Sequence, residues 1–141
     1  HLENCKIENK VEIGPYARIR PGTTLKEGSR VGNFVEIKKS TLGNKSKANH
    51  LTYIGDSNIG KSVNIGAGTI TANYDGVNKH PTIIGSQTKT GANSVFVAPV
   101  TLGNNVTVAA GSVVTNDVPD NALVIARQQQ KINKEWKKTK K

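Results

Sequence analysis

The sequence is poor in the residue types that build helical, disulfide-bonded or membrane-spanning proteins. Its 141 residues include no methionine, one cysteine, and six aromatics, which are two Phe, three Tyr and one Trp. A single cysteine excludes an internal disulfide and fits a reducing compartment. No apolar run approaches the ~20 residues of a membrane span, and no signal-peptide segment is evident. We therefore expect a cytoplasmic domain without membrane contact, whose aliphatic and threonine-rich core favours strands.

Positive charge is plentiful, but it is unevenly distributed. The formal net charge is +10, and residues 128–141 alone contain six Lys and one Glu, which accounts for +5. The rest of the chain lacks the alternation of aromatic and basic residues that a nucleic-acid stacking surface requires. A moderately basic body fits small phosphorylated substrates better than nucleic acid. Because the chain begins with His1, we also expect a piece of a longer protein.

An aliphatic residue recurs every six positions along most of the chain. The count slips by one at Leu42 and again at Ile59, and the segment 71–82 interrupts it. A small or β-branched residue follows four positions after each aliphatic one, with Asn58 as the exception. The first six aliphatic positions are Ile7, Ile13, Ile19, Leu25, Val31 and Ile37.

This four-two spacing predicts short strands joined by two-residue corners, and it matches neither a helix nor a continuous strand. Three such strands close one coil of roughly 18 residues, which predicts an all-β, left-handed parallel β-helix, the hexapeptide-repeat solenoid. We expect the β-helix over 1–119 with an extruded loop at 71–82. The remainder, 120–141, should form a C-terminal extension and a polar tail that is helical or disordered.

The coil also places outward side chains. Arg20 and Lys38 are one full coil apart and should stack on one face, with Tyr53 on the next strand. Stacked cations favour a phosphate site, although Glu36 could make them an ordinary solvated strip. His50 should turn the corner into this face and begin an edge of small residues. The predicted edge continues through Ala67, Ala92 and Ala110.

A lone corner histidine is often a solvated surface residue, but beside stacked cations it favours catalysis. The sequence has no serine-nucleophile motif, and no two histidines have the spacing of metal ligands, so we expect no metal in this domain. One imidazole can act as a general base. That chemistry suits direct acyl transfer from a thioester to an amine or hydroxyl, without a covalent intermediate.

Five blocks of the sequence resemble one enzyme family: GPYARIRPGT, VGNFVEIKKS, KANHLTYIGD, VNIGAGTITANYDGVNKHPTIIG and VAAGSVVTNDVP. They resemble the C-terminal domain of the bacterial bifunctional glucosamine-1-phosphate N-acetyltransferase / N-acetylglucosamine-1-phosphate uridyltransferase. The resemblance implies transfer of an acetyl group from acetyl-CoA to glucosamine-1-phosphate, in the synthesis of UDP-N-acetylglucosamine and the cell envelope. It implies a homotrimer with sites between neighbouring prisms. It also implies that the uridyltransferase domain, with its Mg²⁺ site, is absent from this chain.

The resemblance further implies roles for individual residues. His50 would accept a proton from the glucosamine amine. The sugar phosphate would be held by Arg20, Lys38, Tyr53 and Asn64, with Glu36 and Lys79 in support. The acetyl-CoA contacts would be Ala67, Asn73, Tyr74, Ala92, Ala110 and Arg127, and the contact at Ala92 would come from its backbone.

Two other functions remain open on the residues themselves. A hexapeptide acyltransferase could act on a different acceptor, such as serine or a nucleotide-linked sugar. The solenoid could also be a non-catalytic trimeric scaffold. Assays for an acceptor and for thiol release from acetyl-CoA distinguish these functions from the first.

Overall fold

The structure, a computed structural model, describes residues 1–137 and forms a triangular prism of parallel strands. Within residues 1–137, nineteen short strands build three sheets, which we call faces A, B and C. Face A contains β3 (Arg18–Ile19), β6 (Glu36–Lys38), β9 (Tyr53–Gly55), β12 (Ile70–Ala72), β15 (Val95–Val97) and β18 (Val113–Val114). Face B contains β1 (Lys6–Ile7), β4 (Thr24–Leu25), β7 (Thr41–Leu42), β10 (Ser57–Ile59), β13 (Thr82–Ile84) and β16 (Val100–Leu102). Face C contains β2 (Glu12–Ile13), β5 (Arg30–Asn33), β8 (Lys47–His50), β11 (Asn64–Ile65), β14 (Lys89–Thr90), β17 (Thr107–Val108) and β19 (Leu123–Val124).

The strand register confirms the predicted coil and both of its slips. Ile19 pairs with Ile37, its equivalent one full coil later. Leu25 pairs with Leu42, which is one residue short of a full coil and so absorbs the first slip. No α-helix occurs in residues 1–137, so the predicted all-β solenoid is confirmed.

The inward positions form one continuous core along the prism. Its aliphatic side chains are almost completely buried, and Phe96, with 0% exposure, is its largest member. Most buried hydroxyls donate to a backbone carbonyl, of their own coil or of the next one: Ser46, for example, donates to the Gly60 carbonyl at 2.7 Å. Within residues 1–137 the buried hydroxyls of Ser29 and Thr82 are the exceptions that form no hydrogen bond. Because polar groups that lie inside are hydrogen-bonded, the small Ser and Thr residues of the repeat are compatible with the core.

Each coil bends at three corners, and residues there adopt left-handed backbone conformations. In one coil these are Leu51 between faces C and A, Asp56 between A and B, and Ser62 between B and C, with φ of 50°, 49° and 56°. Such conformations are unusual for residues other than glycine. They therefore mark where the chain must turn to start the next strand.

The structure corrects three details of the sequence prediction. The exception at Asn58 arises because Ser57 takes the inward position one residue early, which leaves Asn58 exposed. The inserted loop spans 73–81, since the ends of the predicted segment 71–82 belong to β12 and β13. The solenoid also continues beyond Pro119, because β19 pairs with β17 on face C.

The segment after the last strand is irregular. Residues 125–137 contain turns and bends but no helix or strand, so the helix considered for the tail does not form there. The last four residues of the predicted basic tail, 138–141, lie outside the described residues.

Candidate functional site

The edge between faces C and A carries His50 and a column of small residues above it. His50 ends β8 and pairs with Asn33 one coil below. The Gly68 N–H donates to the His50 carbonyl at 3.2 Å, which places Ala67 one coil above His50. Continuing upward, the Asn93 N–H donates to the Ala67 carbonyl, and the Gly111 N–H donates to the Ala92 carbonyl, each at 2.8 Å. The stacking of His50, Ala67, Ala92 and Ala110 predicted from the repeat is therefore present.

Arg127 closes the upper end of this edge. Its guanidinium nitrogen Nη1 donates to the Ala110 carbonyl at 2.7 Å. The repeat could not locate Arg127, because this residue follows the last strand. The contact places a cation at the top of a column whose lower end is the His50 imidazole, and the intervening side chains are methyl groups.

The backbone beside this edge is packed too tightly for side chains. A Cβ added to Gly66 would lie 2.4 Å from the Thr90 carbonyl oxygen, and one added to Gly91 would lie 2.4 Å from the Ala110 nitrogen. Both distances are far below van der Waals contact, so only glycine fits. The close stacking of coils and the small side chains of this edge together leave a strip of partly exposed backbone along which an extended ligand can lie.

A second group of polar residues lies at the opposite border of face A, where it meets face B. Arg20 follows Ile19 in the register, so it stacks on Lys38 as predicted. Glu36 accepts a hydrogen bond from Arg20 Nη1 at 2.9 Å, and both side chains are about one-third exposed. The carboxylate therefore compensates Arg20, while Lys38 lies beside another cation, Lys79.

The Lys38 ammonium lowers the pKa of Lys79, because it forms a close polar contact with Lys79 and repels its charge. Asp56 and Tyr53 oppose this shift through their negative potential. Two ammonium groups held together in this way favour an anion between them. Nothing in the repeat predicted the approach of Lys79, because Lys79 lies in the inserted loop.

Asn73 ties the start of the inserted loop to this second group. Its side-chain nitrogen Nδ2 donates to Asp56 Oδ2 at 2.6 Å and contacts Tyr53 Oη at 3.3 Å. Asn73 is only 6% exposed, whereas Tyr53 and Asp56 are half-buried. Sequence reasoning missed Asp56. The available signal was the position of Asp56 directly after β9, at a corner that requires a left-handed backbone.

The loop 73–81 is a small hairpin with its own hydrogen bonds. Tyr74 and Lys79 form an antiparallel bridge, and the Tyr74 hydroxyl donates to the Gly76 carbonyl at 2.7 Å. Asp75 Oδ1 accepts the N–H groups of Val77 and Asn78 at 2.8 and 2.6 Å. The hairpin holds Lys79 above the corner at Asp56, next to an open cleft of about 430 Å³ that includes both residues.

The structure thus divides the predicted site residues between two borders of face A. Ala67, Ala92, Ala110 and Arg127 share the edge of His50. The group at the A–B border contains Arg20, Lys38, Tyr53, Asn73 and Lys79, and the hairpin adds Tyr74. Asn64 points outward from the middle of face C, in register with Lys47 and Lys89.

Within one chain, these two borders are far apart. Gly55 pairs with Lys38, and Gly55 lies at the far end of the strand that begins just after the His50 corner. At ~3.3 Å per extended residue, the backbone from His50 to Gly55 spans at most about 16 Å, and the corner at Leu51 shortens this span. The two groups of predicted site residues therefore lie at opposite borders of face A, an arrangement compatible with the predicted sites between neighbouring prisms.

The described residues contain no group of three or more His, Cys, Asp or Glu side chains that could hold a metal ion. The same part of the chain has no helix long and apolar enough to cross a membrane.

Comparison with known proteins assigns the chain to a family. The family described as bacterial transferase hexapeptide (six repeats) matches residues 4–39 and 81–116, and these two stretches cover half of the chain. The chain belongs to this family of hexapeptide-repeat transferases.

Curated relatives are closely similar over nearly the whole chain. The bifunctional protein GlmU of Gloeothece citriformis is 60% identical over 136 residues, and that of Thermosynechococcus vestitus is 63% identical over 135. In both cases the match covers 96% of this chain but 30% of the relative. The chain therefore spans less than a third of the length of these relatives.

Solved structures share the fold at much lower identity. A point mutant of AntD, an N-acyltransferase from Bacillus cereus, superposes with a TM-score of 0.78 at 20% identity, covering 88% of this chain and 84% of the other. The acetyltransferase domain of PglB from Neisseria gonorrhoeae, bound to acetyl coenzyme A, gives 0.54 at 22% identity, covering 85% and 53%. These likenesses establish the common architecture.

Proposed function

We propose that the chain is an acetyl-CoA-dependent N-acetyltransferase whose acceptor is glucosamine-1-phosphate. The observation that carries this proposal is the C–A edge, where one imidazole begins a strip of exposed backbone that ends at a guanidinium. Such a strip suits the pantetheine arm of coenzyme A, and the cation at its end suits a phosphate. The motifs shared with the glucosamine-1-phosphate N-acetyltransferase family and the similarity to GlmU relatives support the choice of acceptor.

His50 would be the general base. The amine nitrogen of the sugar attacks the thioester carbonyl carbon, and the imidazole takes the proton that the amine loses. The C–S bond then breaks, and the coenzyme A thiolate takes up a proton as it leaves. The His50 backbone is fixed, since its carbonyl accepts from Gly68 N and from the Thr52 hydroxyl at 2.7 Å, while its ring lies at the exposed edge.

The Ala67 N–H is the donor we assign to the developing oxyanion. It lies one coil above His50 and forms no hydrogen bond within residues 1–137. A fixed N–H aimed at the thioester oxygen stabilises the tetrahedral intermediate without reorganisation.

The sugar phosphate would bind at the A–B border. Lys38 and Lys79 present paired ammonium groups, and Arg20 adds a guanidinium held by Glu36. Asn73 fixes the Tyr53 hydroxyl and the Asp56 carboxylate, which can accept hydrogen bonds from sugar hydroxyls. Asn73 and Tyr74, for which the family resemblance implies contacts with acetyl-CoA, would reach the coenzyme of a neighbouring chain from this border.

We further propose a homotrimer in which each site combines two chains. His50 and the Lys38–Lys79 pair lie at opposite borders of face A, so we propose that His50 of one chain acts on a sugar held by its neighbour. Two exposed apolar surfaces support this association. One is the upper part of face A, where Ile70, Val97 and Val113 are 37%, 38% and 48% exposed.

The other surface lies directly below His50, at the same corner. Tyr16 and Phe34 stack with ring centroids 5.7 Å apart, and Leu51 continues the column. All three are more than 60% exposed. A large apolar surface left open in this way is typical of an interface.

One assay tests the acceptor. Purified protein is incubated with acetyl-CoA and glucosamine-1-phosphate, and release of the coenzyme A thiol is followed. Serine and nucleotide-linked amino sugars serve as competing acceptors. We expect thiol release with glucosamine-1-phosphate. Release with a competitor alone would assign a different acceptor, and no release from a trimeric sample would favour the scaffold function.

A further inference from the structure

We propose that Asp75 and His80 are positioning residues that clamp the hairpin 73–81 and hold Lys79 against Lys38. This inference rests on the proposed function, in which Lys79 and Lys38 bind the acceptor phosphate together. Neither Asp75 nor His80 touches the substrate in this arrangement. They act through the backbone of the hairpin.

The clamp is formed by both oxygens of one carboxylate. Asp75 Oδ1 accepts two backbone N–H groups from the tip of the hairpin, those of Val77 and Asn78. Asp75 Oδ2 lies 2.7 Å from Nε2 of His80, at the end of the returning strand. The carboxylate therefore joins the tip to the base, and Lys79 lies between the two attachment points.

Backbone hydrogen bonds within the hairpin support the clamp. The His80 N–H donates to the Asn73 carbonyl at 2.8 Å, and the Asp75 N–H donates to the Asn78 carbonyl at 3.0 Å. Asn73 is in turn fixed to Asp56. A shift of the hairpin tip would thus also displace the buried Asn73 side-chain amide, which belongs to the proposed acceptor site.

The hairpin needs such a clamp because it lacks core packing and because Lys38 repels the Lys79 that it carries. It contributes no residue to the hydrophobic core, and Val77 at its tip is 82% exposed. The approach of Lys79 to Lys38 is repulsive, and Asp56 and Tyr53 offset it only in part. Without an anion present, the Asp75–His80 contact and the backbone bridge between Tyr74 and Lys79 resist withdrawal of Lys79.

The test reads the Lys38–Lys79 proximity directly. The protein is treated with difluorodinitrobenzene, a short bifunctional amine reagent, and the Lys38–Lys79 cross-link is quantified by mass spectrometry. A Lys39→Arg background removes the neighbouring amine. We expect a clear cross-link in this background and its loss in Asp75→Ala and His80→Phe, whereas His80→Gln, which can still donate to the carboxylate, retains it.

Kinetics provide the second readout. Asp75→Ala and His80→Phe should raise KM for glucosamine-1-phosphate about tenfold, the factor associated with one lost charged contact, and leave KM for acetyl-CoA unchanged. Val77→Ala, which removes an exposed side chain of the same hairpin but keeps the N–H that Asp75 accepts, should change neither the cross-link nor KM. A purely structural role would lower the melting temperature without this selective rise in KM.

The outcomes separate the two proposals. An undiminished cross-link in Asp75→Ala and His80→Phe would overturn the positioning role, whatever the kinetics show. A wild-type protein that forms the cross-link but releases no thiol with glucosamine-1-phosphate would overturn the acceptor instead. In that case the cross-link alone decides whether the clamp positions Lys79.

Discussion

Arg20 donates to Glu36 across one coil of the solenoid, at 2.9 Å, with Arg20 stacked on Lys38 in the same column. The carboxylate thus holds the guanidinium at the A–B border and leaves Lys38 to pair with Lys79. A column of cations can form an anion-binding site where a neighbouring carboxylate, here that of Glu36, holds one of the cations in place. Arg20 and Lys38 are therefore not equivalent: Arg20 pairs with a carboxylate, whereas Lys38 lies beside another cation.

Replacing Arg20 with alanine should raise KM for glucosamine-1-phosphate with a smaller effect on kcat, because in the proposed site the guanidinium would bind the phosphate in ground and transition states alike. Initial rates at varied acceptor concentration measure this. Arg18→Ala is the matched control, since Arg18 is an exposed arginine of the same strand in the other column. An unchanged KM for Arg20→Ala would remove this residue from the phosphate site.

Replacing His50 with alanine should lower kcat by about 10²–10⁴-fold while both substrates still bind, because general-base catalysis contributes that factor. Turnover and equilibrium binding of each substrate should be measured on the same sample. His1→Ala controls for loss of an exposed histidine. Near-normal turnover in His50→Ala would contradict its assignment as the base.

Mixing two inactive variants tests whether sites combine neighbouring chains. Co-expressed His50→Ala and Lys38→Ala chains should regain about one quarter of the wild-type sites, because a random trimer pairs an intact edge with an intact phosphate group that often. Either variant expressed alone should stay at its own low activity. If mixed trimers form but activity does not rise above that level, each site lies within one chain.

Asp75 should titrate far below an ordinary aspartate. Its pKa is lowered to about 2 from 3.8, first by the His80 contact and then by the N–H groups of Asn78 and Val77. A depressed pKa means that the clamp is fully present above about pH 4 and is lost as the pH falls toward 2. Carbon NMR of the Asp75 carboxyl measures this, and His80→Phe should move the midpoint back toward 3.8. An unchanged midpoint would show that His80 is not the main cause.

Removing the largest core side chain tests the packing. Phe96 is fully buried, so Phe96→Ala should lower the free energy of unfolding by about 3–5 kcal/mol. Urea denaturation measures this change, with Thr107→Ala on the exposed side of face C as the control. A loss below about 1 kcal/mol would mean that neighbouring coils collapse into the cavity.

Most of the fold could be predicted from the sequence because each six-residue repeat corresponds to one strand and one corner of the solenoid. Each slip of one residue in the aliphatic spacing appears as a register one residue shorter than a full coil, as at Leu25 and Leu42. The end of the prism could not be placed, because β19 pairs through backbone hydrogen bonds although its residues are partly exposed. The spacing of aliphatic residues carries little signal there.

The site was predictable only in part. The column from His50 to Ala110 follows from counting coils, and the structure contains it. The roles of Asp56 and Lys79 do not follow, because they depend on how a non-repeating hairpin folds back onto a corner. The separation of His50 from Lys38 was available from the strand direction, since His50 ends β8 at the near border of face A and Lys38 ends β6 at its far border.

The hairpin is inserted without disturbing the strands on either side of it. Ser57 pairs with Thr82 across the whole insertion, yet Ile59 and Ile84 remain stacked in the core. This corner of the solenoid therefore accepts an inserted loop without a change in the pairing of the neighbouring strands. A hairpin of another length or sequence could be grafted there to change acceptor preference, while the coenzyme strip, the neighbouring core and the stability of the prism stay as they are.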